Sequence, residues 1–228
     1  MDGDLPRRWR RLGASWGAPP ERVRRVGADL LARWSEPHRR YHTLEHLGEV
    51  LQAFDRFGGQ GLPHEGRDAE AALWFHDAVY EAGATPGSDE AASAALARRV
   101  LSELGAPAGS VAEVARLVEF TSGHVEGRLA HDRAAAVVCD ADLAVLGAPG
   151  ERYRRYAGQV RAEYSAVSDE AWKRGRSEVL ERLLHRPRLY ITPEAFSALE
   201  DLARANLAWE LTTLGGGEAQ PGALEPTE

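Results

Sequence analysis

Apolar positions recur every three or four residues along most of the chain, the repeat of one buried face of an α-helix. The first two amphipathic helices are predicted over residues 7–16 and 21–36. The second opens at Pro19-Pro20, closes at Pro37, and has Leu30, Leu31 and Trp34 on its apolar side. A third follows with Leu44, Leu47, Val50, Leu51 and Phe54 at helical spacing and stops at the glycine-rich stretch from Gly58 to Pro63. The run Ala69-Glu70-Ala71-Ala72-Leu73 then leads into Trp74-Phe75-His76-Asp77. Ser88 and Ser110 are predicted N-caps of the next two helices, which reach about Leu104 and His124. Another begins at about Leu129 and carries Ala134 to Val138 into Cys139-Asp140-Ala141-Asp142-Leu143. Past the break at Gly147-Ala148-Pro149-Gly150, three more helices are predicted over 152–164, 169–184 and 193–211. Val137-Val138-Cys139 is the one strand-like piece, too short to pair. Residues 213–228 lack apolar periodicity and are predicted to be disordered. The sum is an all-α, single-domain helical bundle.

Bulk properties narrow the function classes. A chain of 228 residues with 43% hydrophobic and 28% charged content can bury a sizeable core. A net charge of -7 argues against binding extended nucleic acid through a broad basic face. The single cysteine, Cys139, cannot form an intramolecular disulfide and fits a reducing compartment. No apolar run approaches the roughly 20 residues that span a bilayer, so no membrane partner is expected. The acidic start, Met1-Asp2-Gly3-Asp4, has no apolar signal core. The expected location is the cytoplasm.

The candidate chemistry lies where polarity interrupts the apolar run. Burying His76 and Asp77 side by side costs several kcal/mol unless something pairs with both, and a cation is the simplest common partner. A chelate needs donors from other segments as well: His42 and His46 lie upstream, Asp140 and Asp142 downstream. Imidazoles and carboxylates together suit a divalent Mn, Fe, Co, Ni, Zn or Mg ion, and a set with spare coordination positions is usually catalytic rather than structural.

Five blocks carry a resemblance: Tyr41-His42-Thr43-Leu44-Glu45-His46, Trp74-Phe75-His76-Asp77, Ser88-Asp89-Glu90-Ala91-Ala92-Ser93-Ala94, Thr121-Ser122-Gly123-His124, and Asp140-Ala141-Asp142-Leu143-Ala144-Val145-Leu146-Gly147. In this order they resemble the HD superfamily of metal-dependent phosphohydrolases, and within it a bacterial branch of predicted phosphohydrolases without an established substrate. The similarity runs over roughly residues 28–212, leaving 1–27 as an N-terminal helical extension and 213–228 as a tail. The resemblance implies an all-α HD-type domain whose divalent metal is held by His46, His76, Asp77 and one of Asp140 and Asp142, with His76 and Asp77 central to catalysis. Two residues apart on a helix, the aspartates diverge by about 200°, so both cannot readily serve one ion. Alanine before Asp142 favours one choice; the apolar lead-in to Asp140 favours the other. Some members hold a second metal through extra histidines, where this chain offers His124, Asp89 and Glu90.

Other residues are read both ways. His42 and His124 can line the site or merely pack and answer a helix dipole. Glu90 sits where acids are favoured in a first helical turn. Glu81, or the outer oxygen of Asp77, is the expected proton acceptor. Arg161 and Arg176, with Arg204, can clamp a phosphate or be ordinary long cations, and Tyr153, Tyr156 and Tyr164 read as core. The expected activity is hydrolysis of a small-molecule phosphate ester, a nucleotide or a related compound. The alternatives are a metal- or nucleotide-binding module without turnover, a metalloprotease built on His42-Thr43-Leu44-Glu45-His46 with Glu119 as a third ligand, and an HD-type di-iron oxygenase.

Overall fold

The computed structural model describes residues 4–62, 64–122 and 131–216, and contains ten α-helices and no strand among them. The all-α expectation stands. Contacts within the chain group into two compact units, Met1–Asp142 and Leu143–Glu228. No helix among the described residues is long and apolar enough to cross a membrane.

The first unit holds α1 (Leu5–Ala14), α2 (Pro20–Arg33), α3 (Leu44–Arg56), α4 (His64–Phe75), α5 (Ser88–Glu103), α6 (Ala108–Phe120) and α7 (Arg133–Asp142). Proline occupies the first turn of α1 and of α2, where its missing N–H would have no helical partner anyway. The apolar stripe of α1, made by Leu5, Trp9 and Leu12, meets that of α2, made by Val23, Val26 and Leu30. The fit is close: a Cβ on Gly27 would lie 2.4 Å from Trp9 Cδ1. Trp9 Nε1–H donates to Val23 O at 2.8 Å, and the Trp9 ring packs edge-on against Trp74 and Phe75.

The hub of this unit is α4, in contact with α3, α5, α6 and α7. From Ala71 to Phe75 it has no exposed surface on any side, which is why its sequence shows apolar residues all round rather than one stripe. Its buried acids are paired: Glu70 takes Arg8 Nε at 2.8 Å, and Asp68 takes Arg67 Nε at 3.0 Å.

Two caps differ from the sequence reading. Helix α5 begins at Ser88 itself, because Gly87 holds the left-handed turn (φ 83°) ahead of it. Helix α6 begins at Ala108 after Pro107, so Ser110 lies inside the first turn and its Oγ accepts from Arg67 Nη2 at 2.6 Å. The expected start near Leu129 falls outside the described residues.

The second unit holds a 3-10 segment (Leu143–Gly147), α8 (Gly150–Glu163), α9 (Asp169–Leu184) and α10 (Pro193–Leu214). Ser168 and Thr192 cap α9 and α10 through their side-chain oxygens. On α10, Asn206 Nδ2 donates to Leu146 O and Ala148 O, both at 2.8 Å, fixing the 3-10 segment. The last helix extends three residues past its predicted end.

Candidate metal centre

His76 and Asp77 do not ride on α4, as the apolar run implies, but lie just past its last residue, Phe75. There the backbone turns, with Ala78 N–H bonded to Phe75 O at 3.0 Å. His76 Nδ1 bonds to Leu73 O at 2.8 Å. As the carbonyl can only accept, Nδ1 carries the proton and Nε2 is free to act as a ligand. His46 enters from the first turn of α3, and Asp142 from the last residue of α7.

One donor atom from each of these four residues lies within 4.8 Å of all the others, the group of this kind among the described residues. His46 Nε2 is 3.3 Å from His76 Nε2. Asp142 Oδ1 is 3.4 Å from each of these nitrogens. Asp77 Oδ2 is 3.2 Å from His76 Nε2 and 3.9 Å from His46 Nε2. Four donors held at about 2.0–2.2 Å around one ion are separated by about 3.3–3.6 Å when tetrahedral; the spacings of 3.2–3.4 Å lie close to this, while the 3.9 Å between Asp77 and His46 is wider, so the set is near the size of one ion's shell. The chemistry of the set fits too. Two imidazole nitrogens facing each other at 3.3 Å repel through their lone pairs unless a proton or a cation lies between them. The group can therefore hold a metal ion.

Burial is graded across the cluster. The histidine side chains are 2% and 1% exposed, whereas those of Asp77 and Asp142 are each 18% exposed. Among these four residues, solvent thus reaches the carboxylates far more than the imidazoles. Burial lowers the pKa of His46. Burial also works against a charge on His76, but Asp77 and Asp142 outweigh it and hold that imidazole well above its ordinary value. For Asp77, burial would raise the pKa, yet His76 and then His42 bring it down to about 2. Without a metal, the cluster therefore favours the charged imidazolium at His76 and the ionised carboxylate at Asp77.

Of the two late aspartates, Asp142 joins the cluster. Asp140, 1% exposed, lies two residues back on α7 and is not part of the group. The helical rotation of about 200° between them is the reason. His42 precedes α3 and stands at the edge, its Nε2 3.8 Å from Asp77 Oδ2 and its ring against Tyr80 at 4.1 Å. Glu90, on the first turn of α5, has its pKa raised, first by burial and then by Asp77, Asp89 and Asp142. Glu81 is exposed, and its backbone N–H donates to Asp89 Oδ2 at 2.8 Å. Together with Ser93 Oγ, which accepts from Val79 N at 3.0 Å, Asp89 fastens the segment after Asp77 to α5. His124 lies outside the described residues.

Arg161 and Arg176 belong to the second unit and are engaged there. Arg161 donates to Tyr164 O, Val167 O and Asp169 Oδ1, closing the turn between α8 and α9. Arg176 makes a two-pronged pair with Glu210 at 2.8 and 3.0 Å, while Tyr153 O–H donates to the same carboxylate at 2.6 Å. The protease-like motif loses its geometry: His42 lies before α3, so it and His46 do not share a helix face, and Glu119 pairs with Arg98 at 2.7 Å.

Sequence reasoning passed over the aromatic and cationic frame of the cluster. The Trp34 ring lies 5.3 Å from the His76 ring and 6.1 Å from the His46 ring, and its Nε1–H donates to Trp74 O at 3.1 Å. The Tyr41 ring packs against that of His46 at 4.6 Å. Arg39 is buried beside them. Apolar spacing places Trp34 only on the buried side of α2, and its tertiary neighbours reveal its part in the site. No family model, curated protein or solved structure matches the chain.

Proposed function

We propose that the protein is a metal-dependent phosphohydrolase acting on a phosphate ester, a nucleotide or a related small molecule. The observation that carries this reading is the graded burial of the donor set: two sealed imidazoles at the back and two carboxylates meeting solvent at the front. A purely structural site is normally closed on all sides by protein ligands. The five sequence blocks that resemble HD phosphohydrolases support the same class, with Mn, Fe, Co, Ni, Zn or Mg as the ion.

A bound divalent ion would polarise a phosphoryl oxygen and lower the pKa of its water. The chain's own groups have separate tasks. His76, oriented through Nδ1–H to Leu73 O, and His46 hold the inner side. Asp77 turns Oδ2 toward the cluster, which leaves Oδ1 to accept a proton. His42, at the edge, offers a ring N–H to a phosphate oxygen, and Glu90 stands near both carboxylates as a further proton acceptor.

The test is phosphate release from a panel of nucleotides and simple phosphate monoesters, with Mn, Co, Ni or Mg added in turn to chelator-treated protein. Metal-dependent release that disappears in a His76→Ala, Asp77→Ala double variant is the expected result. Ion binding without release from any ester would replace the enzyme with a non-catalytic binding module.

A further inference from the structure

Two backbone segments beside the site are non-helical. Asp77 follows the end of α4, and His42 precedes the start of α3, so their carbonyls have no helical donor. One side chain supplies both. Arg39 Nη1 donates to Asp77 O at 2.8 Å and to His42 O at 3.1 Å. The fork is itself held: Glu36 Oε2 accepts from Arg39 Nε at 3.1 Å and lies 3.0 Å from Nη2. The Arg39 side chain has no exposed surface. Its guanidinium carbon sits 5.5 Å from the centre of the Trp34 ring and 5.5 Å from that of Tyr80. Trp34 touches both cluster histidines, and Tyr80 stacks on His42.

We infer that Arg39 is a positioning residue of the metal centre, tying the Asp77 backbone to the segment that leads into His46. It touches no donor atom of the cluster and acts through the two carbonyls. A buried cation that served stability alone would need only its partner, Glu36. This one spends one nitrogen on two carbonyls from segments 35 positions apart in the chain, counted from His42 to Asp77. The geometry requires a planar fork: one nitrogen reaches both carbonyls while two others face Glu36, an arrangement that the single nitrogen of a lysine cannot reproduce. Groups that orient ligands from outside the coordination sphere typically change metal affinity by about 10- to 100-fold.

The inference rests on the cluster holding a metal, and not on phosphate-ester chemistry. Its test is Co2+ titration of chelator-treated protein, followed by visible absorption, for the wild type, Arg39→Lys and Glu36→Gln, with circular dichroism and thermal unfolding of each metal-free form alongside. Arg39→Lys is expected to bind Co2+ about 10- to 100-fold more weakly, with altered visible bands and an unchanged helical spectrum. Glu36 is partly exposed and touches neither carbonyl, so Glu36→Gln keeps the fold. It is expected to shift affinity in the same direction by a smaller factor. If Arg39→Lys fails to fold, Glu36→Gln decides alone: weakened binding supports the inference, and wild-type binding overturns it. Wild-type affinity and bands in both variants also overturn it. If the wild-type protein itself takes up no Co2+, the metal reading falls first and this inference with it.

Discussion

His46 Nε2 and His76 Nε2 face each other at 3.3 Å in the interior of the first unit, with Asp142 Oδ1 at 3.4 Å from both. Two ring nitrogens this close need either a proton shared between them, as an N–H···N bond, or a metal ion. That exclusivity links metal uptake to pH.

A metal must displace the proton that His76 holds in the metal-free protein, because only the neutral imidazole is a ligand. The raised pKa of His76 means that this proton is still present near neutrality. Uptake of an ion is therefore expected to release about one proton, and affinity is expected to rise with pH between about 6 and 8. Calorimetry in buffers of different ionisation enthalpy measures the release. Affinity that is flat over this range, with no proton released, would contradict the assignment of His76.

Stability of the chelator-treated protein should depend on pH from two sides. The raised pKa of His76 stabilises the fold fully below the unfolded value of about 6.5, and this stabilisation is lost as pH rises through the folded value. Asp77, lowered to about 2, contributes above its unfolded value of about 3.9, and that contribution disappears as pH falls toward 2. Melting temperature against pH should show both declines. Added metal should remove the alkaline one, since the ion takes over from the proton.

The two late aspartates separate affinity from stability. Asp142→Asn is expected to weaken metal binding by more than the about 10- to 100-fold typical of losing a group outside the coordination sphere. Asp140→Asn should leave affinity near the wild-type value. It should instead lower stability by about 1–3 kcal/mol, because Asp140 is buried and has partners of its own. Metal titration and urea unfolding of both variants read the two effects, and a reversal of roles would show that α7 is phased differently.

This pair also marks how far the sequence could be read. His76 and Asp77 were legible because an imidazole and a carboxylate interrupt an apolar run that must be buried, whereas His46 was preferred to His42 only through the resemblance to HD phosphohydrolases. The choice between Asp140 and Asp142 was not, since all of Ala134–Ala141 is buried and the apolar pattern on α7 has no empty face to set its phase. Arg39 was illegible for another reason: its partners are carbonyl oxygens, which every residue has. Helix existence could be read from apolar spacing, whereas the starts at Ser88 and Ala108 were set by Gly87 and Pro107 rather than by the serines chosen as caps.

The N-terminal helix supports the core behind the cluster. Trp9 is 1% exposed and packs on Trp74 and Phe75, the residues directly before His76. Trp9→Ala is expected to cost about 3–5 kcal/mol, read by denaturant unfolding. A cost below about 1 kcal/mol would mean that α1 packs loosely on α4.

In the second unit, the buried pair of Arg176 and Glu210 is expected to behave as a unit. Removing the arginine alone, by Arg176→Met, leaves a buried carboxylate without its counter-charge and should cost about 3–5 kcal/mol. Adding Glu210→Met to the same protein should recover much of that loss, because the remaining buried charge goes too. Thermal unfolding of the single and double variants checks the order; equal stabilities would show that the pair is not desolvated.

The most direct measurement is the stoichiometry of divalent ion bound to purified, chelator-stripped and reloaded protein, compared with the His46→Ala and His76→Ala variants. One ion per chain in the wild type and a large loss in both variants is the expected result. A wild-type chain that retains no ion, or variants that retain as much as the wild type, would contradict a metal centre built from His46, His76, Asp77 and Asp142.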